Sequence, residues 1–434
     1  MEGNNQAHDI ENPYIPFATS MSQELDGLPT LSNSCCIYRV PEKLRCVNEK
    51  AYTPQVVSIG PLHHGKEGLK DMEEQKKRYL RYFLRRTKVS LEDYVKKIKD
   101  KEAELRSCYA HTIELCSDKF VRIILVDAAF VIELLLRFLE HIVPDSNDRI
   151  FHKPWLLNYV VPDMLLLENQ LPFFILEDLF ATLEVPVPMP SVFDLSYEIC
   201  KKSLLLQVKR EDVGYSSSFT EVKHFVDLIR TLNLPTEEED LKNRGSVKTL
   251  AVPSMTKLHQ AGVKFKVRSN KKLFGICFTD KGGKLEIPNL MIGDNTELIL
   301  RNLIAFEQCH CTPNTRYFND YITLMDNFVN NQNDVELLVK NGIVENMLGD
   351  NNEVSTLFNS LGKGVAVSRQ GFYFAHLTED LNDYYKKPWN KWKADLKQKY
   401  FNTPWKIISV IAATLIIILT SIQTACSFSQ CAQL

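Results

Sequence analysis

The chain has 434 residues, of which 44% are hydrophobic and 24% charged, enough apolar material for a large core with perhaps two sub-domains. Its 52 basic and 54 acidic side chains leave a net charge of -2, which argues against a general nucleic-acid binder, because such proteins carry a strong basic excess. Eleven cysteines, an odd number, include no C-x-x-C pair, and Cys309-His310-Cys311 is too tight for one tetrahedral zinc. They read as reduced structural thiols, so neither a metal nor another cofactor is expected.

The opening stretch MEGNNQAHDIENPYIP has no basic region followed by an apolar one. No signal peptide is expected, and a GPI-anchor reading of the C-terminal tail is excluded with it. The absence of any N-x-[ST] sequon is in keeping with that. Residues 1–34, low in aliphatics and rich in Asn, Ser and acid, read as a disordered leader. From Cys35 the texture changes: Pro41, Pro54 and Pro61 break the chain into short extended pieces that wrap a core, with Val56–Ile59 as a possible strand.

Helical spacing begins at Leu69–Arg86, where Leu69, Met72, Tyr79, Leu80, Phe83 and Leu84 recur near one face. Its basic stripe of Arg78, Arg81, Arg85 and Lys88 reads as a solvated face, with an acidic partner as the sharper alternative. Ser90-Leu91-Glu92-Asp93 has the form of a helix start. Asp118–Ile142 is apolar on nearly every face, but Arg122, Asp127, Glu133 and Arg137 would each cost about 2.5–3.5 kcal/mol at a bilayer centre. A central core helix is expected there. Pro162 is read as a proline in a first helical turn, and Pro172 as the restart of a helix over Phe173–Leu183.

Residues 35–235 thus form a helical core region, closed by the acidic run PTEEEDLKNRGS. Residues 236–400 form a second part of the same globular region. There Val263–Val267 alternates, Leu273–Phe278 is strand-like, and Lys281-Gly282-Gly283 turns into Lys284–Ile287. These predict a small antiparallel sheet, followed by helices over Thr296–Glu307, Tyr317–Asn330, Asp334–Lys340 and Glu353–Leu361, and a long final helix from about Ala375. Asn341-Gly342 reads as a C-cap.

The last stretch is the most apolar. Between Ile407 and Leu434 no side chain is charged, and residues 405–425 predict a transmembrane helix, with Trp405, Ile407, Ile411, Leu415, Ile418 and Ile422 as its anchor and 426–434 as a short non-cytosolic tail. Ser409, Thr414, Ser421 and Thr424 do not veto insertion, since their hydroxyls can bond back to helix carbonyls. Lys386, Lys387, Lys391 and Lys393 precede it, which predicts a single-pass protein of the plasma membrane or an endomembrane. Its bulk would be cytosolic and its lysine collar set against an anionic leaflet.

Motifs for chemistry are weak. Gly60-Pro61-Leu62-His63-His64-Gly65-Lys66 fits a phosphate-loop spacing, but Glu67 stands where a hydroxyl should hold magnesium, and Pro61 removes an amide donor. His63 and His64 could act as bases or ligands, yet adjacent histidines rarely chelate one metal, and a structural turn is favoured. Glu168, Asn169 and Gln170 stand between apolar runs and read as a polar bracket locking the core. These five are the candidate binding residues; no catalytic residue is assigned.

Ile37-x-Arg39-Val40-Pro41, Ser58-Ile59-Gly60-Pro61-Leu62-His63-His64-Gly65, Glu168-Asn169-Gln170-Leu171-Pro172-Phe173, Arg301-Asn302-Leu303-Ile304-Ala305-Phe306-Glu307-Gln308 and Tyr400-Phe401-x-x-Pro404-Trp405 follow in series. In this the chain resembles the plant domain of unknown function 247 family from about Cys35 to Ala425, departing slightly at Leu62, where the family often has an aromatic. The resemblance implies a land-plant, mainly α (α+β) protein: a multi-helix globular domain with a small antiparallel β element and a C-terminal transmembrane helix. It implies no established activity or cofactor. Some grass relatives are proposed self-incompatibility determinants, which suggests recognition or signalling. The expectation is a non-enzymatic interaction protein with unknown protein partners and no nucleic acid. The rival is a membrane-tethered hydrolase or metal enzyme using His63, His64 and Glu168.

Overall fold

A computed structural model describes residues 14–26, 34–139, 148–183, 191–201, 222–269, 272–390, 392 and 404–431. Two buried helices organise it. The first, Ser117–Phe138, is apolar on so many faces that Ile124, Phe130, Ile132, Leu134 and Leu135 are all fully buried. Each such side chain contributes roughly 1.5–3 kcal/mol. Three charges are buried with them, and each is paired: Asp127 with Lys76 at 2.6 Å, Glu133 with Arg86 at 3.0 Å, and Arg137 with Glu133. Unpaired, each would cost several kcal/mol. Around this helix pack Lys70–Thr87, Leu91–Asp100, Phe173–Phe180 and Val192–Lys201.

The second buried helix is Thr296–His310, against which Phe225–Asn233, Tyr317–Phe328, Asn351–Leu361 and the short turn Glu49–Tyr52 pack. One hydrophobic core runs through both layers, from Cys36 to Leu381. Local signals explain several ends. The Ser90 side chain accepts the Asp93 amide, and Thr236 and Asn331 each start a helix with a reciprocal capping box. Gly342, at φ +70°, lets the Gly342 and Ile343 amides return to the carbonyls of Val339 and Leu338.

The sheet differs from the antiparallel one expected. β1 (Lys264–Val267), β2 (Cys277–Thr279) and β3 (Lys284–Ile287) form in the order β1-β3-β2, with β3 antiparallel to β2 but parallel to β1. A tight hairpin joins only β2 and β3. The stretch 268–283, which includes β2, is long enough to carry the chain back so that β3 enters between the other two. Phe265, Leu285 and Phe278 then lie side by side across the sheet. β4 (Leu290–Ile292) and β5 (Val344–Asn346) form a separate parallel pair.

Other expectations are corrected. Within the leader, Ile15–Asp26 is a helix with no buried residue; the rest of 1–33 lies outside the described residues, apart from Tyr14. Val56–Ile59 is not a strand, because its amides are taken by side chains. Pro162 stands near the end of the helix Pro154–Asp163, not in its first turn. The final helix stops at Lys386, where Lys387 adopts the extended backbone that a following proline, Pro388, demands. Lys387 bonds Asp280 at 2.7 Å, whereas Lys391 and Lys393 lie outside the described residues.

The transmembrane helix is also overturned. Pro404–Cys431 is helical, but among the described residues no helix is long and apolar enough to cross a membrane. Pro404–Cys431 contains Ile411, Leu415, Ile418 and Ile422, all exposed, but also Thr414, Thr420, Ser421, Gln423 and Thr424. Thr420, Ser421 and Thr424 bond back to carbonyls one turn earlier at 2.8 Å. The side chains of Trp405 and Ile407 lie outside the described ones. With this span goes the single-pass localisation, cytosolic bulk included.

Candidate functional site

Outside the short helical turns Glu42–Arg45 and Glu49–Tyr52, the segment from Cys35 to Gly65 is irregular, so its buried N–H groups there must find other acceptors. Side chains supply them. Both oxygens of Asp163 accept three successive amides, from Gln55 at 2.9 Å, Val56 at 2.7 Å and Val57 at 2.9 Å. Asn169 takes the Ile59 amide at 2.7 Å and donates to the carbonyls of Val57 and Asp163. The Gly60 amide donates to Asp127 at 2.8 Å, and Lys76, fully buried, bridges Asp127 to the Ser58 carbonyl.

Glu168 and its neighbours continue the pattern. Glu168 accepts the Val40 amide at 2.6 Å and pairs with Arg45. Gln170 accepts the Phe225 amide at 3.0 Å and donates to the carbonyls of Met164 and Leu166. Asn302 accepts the Leu167 amide at 2.8 Å and donates to Ala51. His224 joins the Cys36 carbonyl at 2.9 Å, and Glu307 takes the amides of Phe318 and Asn319 while pairing with Arg230. The extended strap is fastened at many points by buried polar side chains.

Of the five candidate residues, the fold brings His63 and Glu168 together, with His63 Nε2 3.4 Å from Glu168 Oε2. Neither ring nitrogen of His63 makes a well-aligned hydrogen bond. Burial lowers the His63 imidazole, outweighing the pull of Glu168 in the other direction. Burial works to raise the Glu168 carboxyl, but His63, the Val40 amide and Arg45 hold it below the ordinary value. His63 and Glu168 are 2% exposed, so a substrate proton would have to enter the core to reach them. His64 is not part of this pair: it is half-buried, and the charges around it are Glu73, Lys76 and Lys119. Asn169 and Gln170 hold separate backbone segments.

The phosphate-loop spacing is also accounted for. Gly60 stands at φ +75°, and a Cβ there would lie 2.6 Å from the Gln170 carbonyl oxygen. Its amide faces a carboxylate, the opposite of an anion cradle. Among the described residues no group of three His, Cys, Asp or Glu side chains could hold a metal ion. Near Cys309 and Cys311, whose thiols burial pushes up to about 11, His310 stacks on Phe306 and contacts the Tyr38 hydroxyl at 2.9 Å.

Several carboxyls of the network are strongly displaced upward, all mainly by burial. Asp127 and Asp163 are pushed up to about 6, Glu307 to about 7, and Asp320, whose carboxylate takes the Tyr373 amide, to about 8. Sequence reasoning missed Asp163, Lys76 and Asp320. None of the three carried a local signal, since the groups they bind are distant in sequence. Outside the network, an open cleft of about 730 Å³ lies along the helix Lys70–Thr87, and none of the five candidates lines it.

The strap residues, the Glu168–Phe173 loop and the Arg301–Gln308 helix therefore meet as one structure, and a family relationship follows the same stretches. The sequence model of DUF247, described as plant protein of unknown function, matches residues 37–419. This chain belongs to the DUF247 family. Among curated relatives, the Arabidopsis thaliana protein named UPF0481 protein At3g47200 is 32% identical over 420 residues, covering 90% of this chain and 86% of its own. The putative UPF0481 protein At3g02645, also from Arabidopsis thaliana, is 25% identical over 502 residues, with 94% and 93% covered. No solved structure matches. In this DUF247 chain Glu168, Asn169 and Asn302, from the motifs that carry the resemblance, fasten the strap.

Proposed function

We propose that this plant protein is a non-enzymatic interaction protein whose helical surface recognises other proteins. One observation carries the reading: the polar groups of Glu168, Asn169, Gln170, Asn302 and Glu307 are turned inward onto the chain's own backbone. Side chains spent in this way hold a shape and are unavailable to a substrate. Proximity labelling from the intact chain in plant cells, with binary complexes rebuilt from purified components, tests it. A reproducible partner that co-elutes with the chain is expected.

The enzyme reading keeps one observation in its favour, the contact between His63 and Glu168. Ester, phosphoester and peptide substrates turned over by the intact chain, with turnover abolished by His63→Gln, would replace the interaction reading. Absence of turnover together with a rebuilt complex would retire the enzyme.

A further inference from the structure

Cys36 and Cys108 are both free thiols, and the fold sets them side by side. Cys36 stands at the start of the strap, and Cys108 follows the short helix Glu102–Ser107. The Cys36 and Ile37 amides both donate to the Cys108 carbonyl at 2.9 Å, and the Ala110 amide donates to the Ile37 carbonyl at 2.9 Å. These bonds make Ile37 and Tyr109 a parallel bridge, whose register sets Cys36 opposite Cys108. Residues opposite each other in such a pair turn their side chains to the same face, and the two backbones lie about 4.7–4.9 Å apart. Disulfides join Cα atoms about 4.4–6.8 Å apart, so the backbone need not move to bridge these two.

The thiols themselves interact. Cys36 donates to Cys108, which holds the Cys108 thiol below its ordinary range against the pull of burial; the same bond, with burial, raises Cys36. Cys108 is thereby the better nucleophile of the two, since the thiolate is the attacking form. Both side chains are buried, but the cover is thin. Cys35, next to Cys36, is half-buried, and Ala110 and His111, just beyond Cys108, are exposed. Hydrogen peroxide, little larger than water, suits such an approach.

We infer that Cys36 and Cys108 are a site of reversible oxidation by peroxide, whose product is a disulfide tying the start of the strap to the end of the helix Glu102–Ser107. The Cys108 sulfur attacks one peroxide oxygen, the O–O bond breaks, and the departing hydroxide takes the Cys108 proton to leave as water. The Cys36 sulfur then attacks the sulfenic acid on Cys108, the S–O bond breaks, and a second water leaves with the Cys36 proton. Two thiols give up two electrons and one peroxide accepts them. A thiol reductant reopens the bond by exchange. Closed, the bond keeps the strap from lifting at its leading end.

The intact chain, treated with hydrogen peroxide near neutral pH, is blocked with iodoacetamide, digested and read by mass spectrometry. A peptide pair linked through Cys36 and Cys108 is expected, returned to two free thiols by dithiothreitol. Oxidation should raise the melting temperature by several degrees and slow hydrogen exchange at Ile37 and Ala110 severalfold, with circular dichroism unchanged. Cys116→Ala, which removes an exposed thiol, should keep the link and both responses. In Cys36→Ala the sulfenic acid on Cys108 should be trapped by dimedone, and a Cys108 left unmodified there would overturn the inference. The wild-type measurement needs no variant, so a replacement that fails to fold leaves the test intact. A link from Cys35 to Cys309 instead, or both thiols of the pair still free once Cys46 and Cys116 are oxidised, would also overturn it. So would a linked product without native circular dichroism, because the bond would then belong to the unfolded chain. The interaction reading stands or falls apart from these results.

Discussion

Lys76 is the sharpest point at which to test the buried network. Its ammonium is fully buried and holds Asp127 at 2.6 Å, the Ser58 carbonyl at 2.9 Å and Glu73. Lys76→Met keeps most of the stem and removes the charge, leaving Asp127 buried with only the Gly60 amide as donor. Removing one partner of a buried pair costs about 3–5 kcal/mol. The size should depend on pH, and the sign follows from Asp127. Burial already raises its carboxyl to about 6, with Lys76 as the main opposing influence. Without Lys76 it rises further. A folded-state value above the unfolded one means that the native state binds the extra proton, so stability falls as pH rises through that window.

The deficit of Lys76→Met relative to the wild type should therefore be nearly flat below pH 6, at about 1–2 kcal/mol for the lost hydrogen bonds. Above pH 6 it should grow by up to about 1.4 kcal/mol per unit until the new value is passed. Urea denaturation at pH 5.5, 7 and 8 measures this, comparing midpoints at constant slope. Asp127→Asn on top of Lys76→Met should recover part of the loss at pH 8, because it deletes the stranded charge. A deficit below about 1 kcal/mol at pH 8, equal deficits at pH 5.5 and 8, or further loss on adding Asp127→Asn would refute the reasoning.

Asp163→Ala should orphan the amides of Gln55, Val56 and Val57, at about 1–3 kcal/mol for each one that stays buried; hydrogen exchange should show lost protection at 55–57, and unchanged protection would contradict the role. Gly60→Ala should lower the melting temperature, since its left-handed backbone alone costs about 1–2 kcal/mol for a side chain and the Cβ would press on the Gln170 carbonyl. Glu307, raised to about 7, makes the protein lose stability as pH rises from about 4.5 to 7. Glu307→Gln should flatten that part of the stability profile in urea titrations, and an unchanged slope would count against it.

Much of the helical layer was legible because periodicity is a local property. Asp118–Ile142 announced a core helix through its charges, and Ser90 and Gly342 marked helix ends through their own backbone needs. What Glu168, Asn169 and Gln170 do was legible in kind, since polar residues between apolar runs must be satisfied, but not in detail. Their partners at Val40, Ile59 and Phe225 are far away in sequence, and no local pattern names them. Val56–Ile59 looked like a strand for the same reason: its apolar letters were legible, while the Asp163 carboxylate that takes its amides was invisible. The C-terminal stretch misled through its run of apolar letters: Pro404–Cys431 is helical, but among the described residues no helix is long and apolar enough to cross a membrane.

By itself the sequence determined the family, the helical periods, the caps and the inward place of the motif residues. All of these follow from side-chain type and near-neighbour spacing. Only the tertiary structure decided that β3 enters between β1 and β2, that Lys76 closes on Asp127, and that Asp163 takes three successive amides of the strap. Those depend on which distant groups meet, and hydrogen bonds and charges act only across a few ångströms once the chain has brought them there.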